Sequence, residues 1–506
     1  MNSLKRILTN KIFIGGIVIL LQFVLLFKVI SDLSGNYGFV YYFLSLVSAV
    51  MMLLVSNSKV NPTYRLAWIV IIMIVPPFGA VVYLLFGGKQ VPKRLRGNIG
   101  EAYPVDTPVF ILNDQEKLME TMPKWAGLIN YIENTSNFPL YEHTKSTYLD
   151  SGEAKFKMML KDIEEATVFV FLEYFIIKEG VLWDTLFALL KRKVEEGVLV
   201  RLIYDDWGCA KFTDLKKQCE SIGVEAVAFN PLVPLMAVQM NNRNHRKICV
   251  IDERIGYVGG MNIADEYINI GSKYGHWKDT AVRIEGDAVH SLTLMFLQFY
   301  AYYSGNKEPF ETYCIDHPVS GENLGYVIPF SDSPTDKHDL GLNVHMGMIT
   351  TARKYIYIQT PYLIIGYELV EALSMAARSG VDVRIVVPHI PDKVIVNQVT
   401  KSNYEALLEA GVRIFEYEPG FVHSKTFVVD DEVCTVGTTN MDYRSYYLHF
   451  ECSIMFLYND TVAECKKDVL DTINNKCIEI SLEMAKKTPV PVKLFRTAAA
   501  MFSGLM

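Results

Sequence analysis

The sequence lacks several features that mark common classes of protein. Its 49 Lys and Arg residues are outnumbered by 56 Asp and Glu residues, so the net charge is −7 and the basic surplus of a general nucleic-acid binder is missing. None of the eight cysteines forms a CxxC pair or a clustered metal-ligand spacing, which argues against a zinc-type site. Cys249 and Cys434 lie in apolar, strand-like runs, where reduced and buried thiols are expected. The body of the protein is therefore predicted to face a reducing compartment.

Charge is also nearly absent from three stretches close to the N-terminus. Segments 12–30, 37–55 and 67–86 are apolar, and Lys28 is the only charged residue within them. Each approaches or reaches the roughly 20 residues that a membrane-spanning helix needs. No small-residue cleavage site follows the first segment, which disfavours a cleaved signal peptide. Residues 1–97 are therefore predicted to form an α-helical membrane region.

The charges that flank these segments bear on their orientation. Basic residues precede the first segment, separate the second from the third and follow the third, whereas residues 31–36 contain none. Because basic flanks favour the cytoplasm, three full spans would leave one basic flank on the opposite side. Pro76 and Pro77 would also break a helix within the third segment. We therefore predict two spans, a re-entrant third segment and a cytoplasmic remainder; three spans with a kink are the alternative.

From about residue 134 onward, the chain contains two copies of one plan. Strand-like runs at 167–177 and 354–365 are each followed by an amphipathic helical stretch. A glycine then leads into a second apolar strand in each copy, at 197–201 and 380–384. Strands that alternate with helices predict an α/β fold, and the ordered matches predict two related halves.

The repeat sets the predicted domain boundaries. Two domains, 98–310 and 311–487, are expected to pack about a pseudo-twofold axis, each with a mixed β-sheet flanked by helices. Residues 488–506 form an apolar tail with two basic side chains. This tail is predicted either to lie on a membrane surface or to dock as a helix on the catalytic domains.

Each copy contains the same spaced set of reactive side chains. Copy one contains His245, Lys247 and Asp252, and copy two contains His423, Lys425 and Asp430, both in the pattern H-x-K-x4-D. Residues i and i+2 of a strand share a face, so each His is expected beside its Lys. The Asp lies on the other face and is expected to be structural, fixing the following turn. Roughly 0.03 accidental matches are expected, so two matches in register indicate a function.

An asparagine recurs seventeen residues after each histidine. Asn262 follows Gly259 and Gly260, and Asn440 follows Gly437 at a similar distance. Glycines at these positions would let the backbone and a substrate approach closely. The two copies therefore agree beyond the motif itself.

These motifs resemble those of the phospholipase D superfamily, and their context resembles bacterial cardiolipin synthases. The likeness is carried by segments 244–252, 259–267, 358–363 and 436–445, and by 83–87 in the N-terminal region. The first hydrophobic segment departs from the commoner two-segment form of the family. The resemblance implies a multi-pass protein of the bacterial cell membrane that transfers a phosphatidyl group between two phosphatidylglycerol molecules, giving cardiolipin and glycerol.

The resemblance also implies roles for the residues of the motif. One neutral imidazole attacks phosphorus and forms a phosphohistidine, while the other donates a proton to the leaving glycerol and later accepts one. Family usage assigns His245 as nucleophile and His423 as general acid/base, although the near-symmetric copies leave this open. Lys247 and Lys425 would neutralise the phosphate. The resemblance implies no metal and no cofactor.

Four further residues are expected to complete the site. Asn262 and Asn440 would donate hydrogen bonds to phosphate oxygens. Asp279 and Glu451 introduce alternating apolar strands, and the resemblance implies that such an acid orients each histidine.

Several alternatives stay open from the sequence alone. A hydrolytic phospholipase D would use the same intermediate, and another phosphatidyltransferase would use a different donor or acceptor. A nuclease of the superfamily is disfavoured by the membrane region and the acidic charge balance, so no nucleic-acid partner is predicted. Phosphatidylglycerol and cardiolipin are the expected partners, and a homo-oligomer is possible.

Overall fold

The computed structural model describes residues 38–58, 61–74, 76–87, 115–231, 241–314, 324–336 and 338–505, together with residues 24, 28, 31 and 32. The predicted segment 12–30 lies outside this range apart from residues 24 and 28. Segment 37–55 corresponds to helix α1 (Gly38–Ser56), and segment 67–86 falls in α2 (Pro62–Ile74) and α3 (Pro76–Phe86). The proline pair thus begins a new helix, as its missing amide hydrogens favour. Within the described part of the chain, none of the helices combines the length and apolarity required to cross a membrane.

The first half of the repeat is built on a seven-stranded mixed sheet. Its strands run in the spatial order β1-β8-β6-β5-β2-β3-β4. Their bounds are β1 Thr144–Leu149, β2 Phe169–Tyr174, β3 Leu199–Asp205, β4 Glu225–Phe229, β5 Ile248–Ile251, β6 Ile255–Gly259 and β8 Ala281–Gly286, with the short β7 (His276–Lys278) outside the sheet. The accompanying helices are α4 (Gln115–Thr121), α5 (Ala126–Ser136), α6 (Gly152–Glu164), α7 (Val181–Glu195), α8 (Leu215–Ser221) and α9 (Val289–Ser304).

The second half is built on an eight-stranded mixed sheet. Its spatial order is β19-β13-β12-β10-β15-β16-β18-β9. The strands are β9 Tyr326–Asp332, β10 Tyr355–Gln359, β12 Asp382–Pro388, β13 Arg413–Tyr417, β15 Thr426–Val429, β16 Val433–Gly437, β18 Glu451–Leu457 and β19 Cys477–Ile480, with β11 (Leu363–Ile364), β14 (Gly420–Val422) and β17 (Met441–Asp442) outside it. Its helices are α10 (Leu340–Thr351), α11 (Tyr367–Arg378), α12 (Val394–Ser402), α13 (Tyr404–Glu409), α14 (Tyr443–Tyr447), α15 (Asp460–Lys476), α16 (Leu482–Lys486) and α17 (Val490–Ala500).

The two sheets confirm the predicted repeat. Strands β8-β6-β5-β2-β3-β4 of the first half occur in the same order as β18-β16-β15-β10-β12-β13 of the second. In both halves the first two crossovers give parallel pairs, and the strands after the H-x-K motif pair antiparallel. The apolar runs of the sequence therefore became the buried central strands of two equivalent sheets.

A shared apolar core joins the halves. Val258 and Val282 of the first sheet lie in one buried cluster with Val436 and Ile454 of the second. Burial of this common surface fixes the sheets against each other. Cys249 and Cys434 are fully buried in β5 and β16 as free thiols, as predicted.

The packing of α4 and α5 crosses the predicted domain boundary. These helices precede the first sheet in the chain, yet Trp125 and Ile129 belong to the apolar cluster of the second half. Lys124 Nζ lies 2.6 Å from Asp430, and Trp125 Nε1 donates to Glu432 at 2.8 Å. The segment therefore links the start of domain 98–310 to the sheet of domain 311–487.

The C-terminal tail docks as a helix. Helix α17 packs on α12, where Arg496 donates to Gln398 at 2.9 Å, and Lys493 pairs with Glu405 of α13 at 2.9 Å. Its outer face leaves Leu494 67% exposed. The docked alternative is thus observed, with an apolar face still directed outward.

Candidate active site

The two motifs meet in one cleft between the halves. His245 precedes β5 and His423 connects β14 to β15, and both line a cavity of about 1310 Å³. Their side chains are only 10% and 9% exposed. The repeat therefore brings together two histidines that are distant in sequence, as predicted.

Backbone contacts across the halves hold these histidines in place. The His423 N–H donates to the Lys278 carbonyl at 2.6 Å, beside the parallel pairing of β14 with β7. The His245 N–H donates to the Phe450 carbonyl at 2.9 Å. The backbone of each histidine is thus bonded to the residue just before the acid of the other copy. The acid of each half therefore lies beside the histidine of the opposite half.

Each histidine contacts the predicted acid, and the pairing crosses between copies. His245 Nδ1 lies 2.9 Å from both carboxylate oxygens of Glu451, and His423 Nδ1 lies 2.8 Å from Asp279 Oδ2. Both acids are fully buried. Because Nδ1 is engaged, Nε2 is the ring nitrogen that remains for a ligand in the cleft.

The two acids are supported differently. Glu451 accepts hydrogen bonds from the hydroxyls of Thr438 and Ser445. Asp279 accepts one from the Thr280 N–H at 2.8 Å, and a Cβ added at Gly260 would lie 2.1 Å from its Oδ1. The close approach expected at this glycine is therefore made by the acid that supports His423.

The motif lysines are buried behind the histidines. The Nζ of each donates to the carbonyl of its own histidine, and Lys425 Nζ also lies 2.9 Å from His423 Nδ1. Lys247 and Lys425 are 0% and 4% exposed. Both ammonium groups sit beside the imidazoles, as the strand spacing predicts.

The predicted phosphate-binding asparagines both line the cleft, with their amides on protein partners. Asn262 Nδ2 donates to the Tyr267 hydroxyl at 2.6 Å, and its Oδ1 accepts from the Ile176 N–H. Asn440 Nδ2 donates to Asp442 at 2.9 Å. Each Nδ2 carries a second hydrogen, so either amide could donate to a phosphate oxygen and keep its present partner.

The structure does not bring Asp252 and Asp430 into the cleft. Asp252 accepts hydrogen bonds from the N–H groups of residues 167, 168 and 169, and Asp430 accepts from those of residues 353, 354 and 355. Both stand in hairpin turns with left-handed φ values of 52° and 59°, which Asp tolerates well. Each carboxylate therefore holds the start of the neighbouring strand, β2 or β10, by hydrogen bonds. The backbone of the same aspartate forms the hairpin turn.

Burial and positive charge keep the imidazoles neutral. Burial, reinforced by Lys247 and Lys425, lowers the pKa of His245 well below its ordinary value. Burial and Lys425 lower the pKa of His423 to about 4, against the opposing effect of Asp279. Burial also lowers the pKa of Lys247 to about 7 and that of Lys425 to about 8.

The two acids have opposite pKa shifts. Burial raises the pKa of Glu451 to about 7, although Lys247 and the hydroxyl hydrogen bonds oppose it. Burial also acts to raise the pKa of Asp279, but the contacts with His423 and Lys425 outweigh it and the pKa is lowered. Asp279 is therefore the more firmly ionised of the two carboxyls.

Several rings that the sequence patterns did not single out surround the two histidines. Around His423 lie the rings of Tyr267, Trp277 and Phe421, with ring centroids 5.5, 5.2 and 5.9 Å from it. Around His245 lie Phe175 and His449, at 5.3 and 5.5 Å. The position of His449 two residues before Glu451 was the only sequence signal for any of them.

Among the residues that the structure describes, two clusters of side chains could hold a metal ion. His245, His449 and Glu451 form one, and Glu253, His290 and Cys314 form the other, each with ligand atoms within 4.8 Å of one another. In the first cluster, His245 and Glu451 already bond each other. In the second, His290 Nδ1 lies 2.8 Å from Glu253.

Known proteins carry the same paired plan. A family model described as cardiolipin synthase, PLD-like domain, matches twice, at residues 159–285 and 346–471. A cardiolipin synthase of Geobacillus kaustophilus is 32% identical over 463 residues, which cover 90% of this chain and 91% of the relative. Cardiolipin synthase 2 of Staphylococcus epidermidis is 36% identical over 438 residues, which cover 84% and 88%.

The chain belongs to the cardiolipin synthase family of phospholipase D-like proteins. The resemblance drawn from the paired motifs is thereby confirmed. A second model, described as Phospholipase_D-nuclease N-terminal, matches residues 41–88, which include most of α1 and all of α2 and α3.

The fold agrees with this family assignment. The crystal structure of phosphatidylserine synthase from Haemophilus influenzae superposes with a TM-score of 0.58 at 13% identity, covering 78% of this chain and all of that one. At this identity the likeness concerns the fold alone, and it extends over both halves of the repeat.

Proposed function

We propose that this phosphatidyltransferase makes cardiolipin and glycerol from two molecules of phosphatidylglycerol through a covalent phosphohistidine. The observation that carries the proposal is the pair of histidines facing one cleft, each with its own buried carboxylate. Such a pair supplies a nucleophile and a separate proton donor, which are the two groups that a double displacement at phosphorus needs.

In the first step, His245 Nε2 attacks the phosphorus of the donor. The P–O bond to the headgroup glycerol breaks, and His423 transfers a proton to the departing oxygen, so that glycerol leaves as a neutral alcohol. In the second step, neutral His423 removes the proton from a hydroxyl of the accepting phosphatidylglycerol. That oxygen attacks phosphorus, the P–N bond breaks, and cardiolipin is released with His245 free again.

The assignment of these roles is supported by the acids behind the histidines. Ionised Asp279 favours a positive charge on His423, which is the charge that a general acid must carry. His245 faces Glu451, whose raised pKa makes it a weaker counter-ion, so His245 is better suited to stay neutral and nucleophilic. An anionic phosphodiester in the cleft would offset the lysine charges and raise the pKa of His423 toward its working range.

The remaining residues would stabilise the charge on phosphorus. Lys247 and Lys425 are close behind the imidazoles, so their ammonium groups would balance the negative oxygens of the transition state. Asn262 and Asn440 would donate the second hydrogen of each Nδ2 to those oxygens. Because the site is buried, each such interaction is stronger than in water.

We further propose that the N-terminal region places the catalytic halves on the cytoplasmic side of the bacterial cell membrane. The apolar segments 12–30 and 37–55 would span, segment 67–86 would be re-entrant, and the basic flanks support this orientation. Exposed apolar side chains such as Phe39, Phe43 and Leu46 on α1 are consistent with a lipid environment.

A product assay tests the proposal. Purified protein in detergent receives phosphatidylglycerol together with a metal chelator, and cardiolipin, free glycerol and phosphatidic acid are followed. Cardiolipin with an equal amount of glycerol is the expected result. Phosphatidic acid as the main product would show that water is the acceptor and would make the protein a hydrolase.

A further inference from the structure

Besides the motif histidines, three basic side chains among the described residues line the cleft. They are Arg243, Lys393 and Arg444. Arg243 donates to Asp205 and to the Asn230 carbonyl, and Lys393 is exposed at the rim. Arg444 is partly buried, and among the described residues its guanidinium has neither a carboxylate within ion-pair distance nor a hydrogen-bond partner. The Asp442 carboxylate acts on this guanidinium electrostatically from beyond ion-pair distance, so its N–H donors stay available for a ligand in the cleft.

This arginine breaks the symmetry of the two halves. It stands four residues after Asn440, and the residue four after Asn262 is Glu266. Glu266 also lines the cleft, and it pairs with Lys178. Histidine, lysine and asparagine occur in both halves, as suits a phosphate that reacts near the pseudo-twofold axis. A positive charge that occurs in only one half suits a substrate group that lies to one side of the reacting phosphate.

His449 lies beside Arg444 and also lines the cleft. The Arg444 carbonyl accepts the N–H of His449 at 2.9 Å, and the ring centroid of His449 lies 5.5 Å from that of His245. Neither ring nitrogen of His449 has a hydrogen-bond partner within the described part of the chain. Arg444 and His449 are thus joined through the backbone, and both line the cleft that holds the reacting histidine.

The helix that carries Arg444 is held by the N-terminal apolar helices. Tyr64 of α2 stacks on Tyr443 with ring centroids 5.9 Å apart, and Asn61 Nδ2 donates to the Tyr447 hydroxyl at 2.9 Å. A lipid that reaches the cleft along these apolar helices would therefore pass α14 on its way to the histidines.

We propose that Arg444, with His449 beside it, binds the phosphate of the accepting phosphatidylglycerol. This inference rests on the proposed function, since only a lipid acceptor brings a second phosphodiester. Three glycerol carbons separate the attacking hydroxyl from that phosphate, so the anion lies at the cleft wall while the hydroxyl reaches the phosphohistidine. A guanidinium fits a phosphodiester because its planar fork donates two parallel hydrogen bonds.

Competition between two acceptors tests the proposal. Arg444→Gln and wild-type protein receive phosphatidylglycerol as donor in the presence of ethanol, an acceptor without phosphate. The ratio of cardiolipin to phosphatidylethanol is expected to fall about tenfold in the variant, as loss of one charge-assisted hydrogen bond would give. Arg444→Lys should restore part of the ratio. Arg378→Gln, at an exposed site outside the cleft, serves as the matched control and should leave the ratio unchanged.

The outcomes separate this inference from the proposed function. If the wild-type protein makes no cardiolipin, the proposed function itself is contradicted. Wild-type cardiolipin with an unchanged product ratio in Arg444→Gln would overturn the acceptor site, even if overall turnover falls, because a contact with the donor lowers both products equally.

A second measurement needs no variant. Wild-type protein with unlabelled phosphatidylglycerol as donor receives isotopically labelled glycerol or labelled glycerophosphoglycerol, which is phosphatidylglycerol without its acyl chains, and the label that enters lipid is measured. The phosphodiester should be the better acceptor by about tenfold, since it alone reaches Arg444. Equal use of both alcohols would contradict the proposal.

Discussion

At the scale of single residues, the site combines neutral imidazoles with weakly basic lysines. Burial lowers the pKa of Lys247 to about 7 and raises that of Glu451 to about 7, so both groups change charge close to neutrality. Several groups in the cleft therefore gain or lose protons together, because their charges interact strongly. Activity should depend on pH in a way that reports on this shared balance.

The dependence of kcat/KM on pH is the first prediction. Below about pH 7, Glu451 gains a proton and no longer accepts the Nδ1 hydrogen of His245; above it, Lys247 loses the charge that offsets the phosphate. A maximum near neutrality with two limbs is expected. Lys247→Arg, which stays charged, should move the alkaline limb upward to the range of Lys425, whose pKa is about 8.

Exposed Lys217→Arg provides the comparison for this variant. Its profile should overlay that of the unmodified protein. An alkaline limb in the same place for all three proteins would show that Lys247 does not control it.

The sequence predicted candidate histidines and acids that the structure brings together, but not how they pair. Motif spacing and strand starts are local patterns, and these pointed to His245, His423, Asp279 and Glu451 as candidates. The exchange of acids between copies depends on backbone bonds from His245 to Phe450 and from His423 to Lys278, and such contacts between distant segments have no local signature.

At the scale of elements, Asp252 and Asp430 act as anchors between strands. Each carboxylate accepts three backbone N–H groups at the start of a neighbouring central strand, and each lies outside the cleft lining. The expectation of a structural role agrees with this geometry. The strand that each one anchors could not be predicted, because it is far away in the sequence.

Replacement of one anchor should change stability more than chemistry. Asp252→Ala is expected to lower the free energy of unfolding by about 3 kcal/mol, since three donors lose a charged acceptor. Chemical denaturation followed by circular dichroism measures this change. Activity per folded molecule should persist. Asp214→Ala, at an exposed residue without a side-chain cap hydrogen bond, should cost less than about 0.5 kcal/mol.

An Asp252→Ala variant with an unchanged denaturation midpoint but no transfer activity would contradict the anchoring role. It would instead require a direct part for this carboxylate in the reaction.

At the scale of the whole molecule, the site exists only where the two halves meet. Each histidine depends on an acid from the opposite half, and helices α4 and α5 tie the chain before the first sheet to the second. The repeat and its strands could be predicted from apolar runs and glycines. The packing of α5 on the second half could not be predicted. Its apolar face, with Ile129 and Ile132, would fit either half equally well by sequence pattern alone.

The central claim is a phosphatidyl group carried on His245, and trapping that intermediate tests it most directly. The probe is a phosphatidyl ester of p-nitrophenol, a leaving group that needs no proton. In His423→Ala, the first step should give a burst of p-nitrophenol equal to the enzyme, and mass spectrometry should find the phosphatidyl adduct on His245. His245→Ala should give neither burst nor adduct. A burst in His245→Ala, or a burst in His423→Ala without the adduct on His245, would contradict the account.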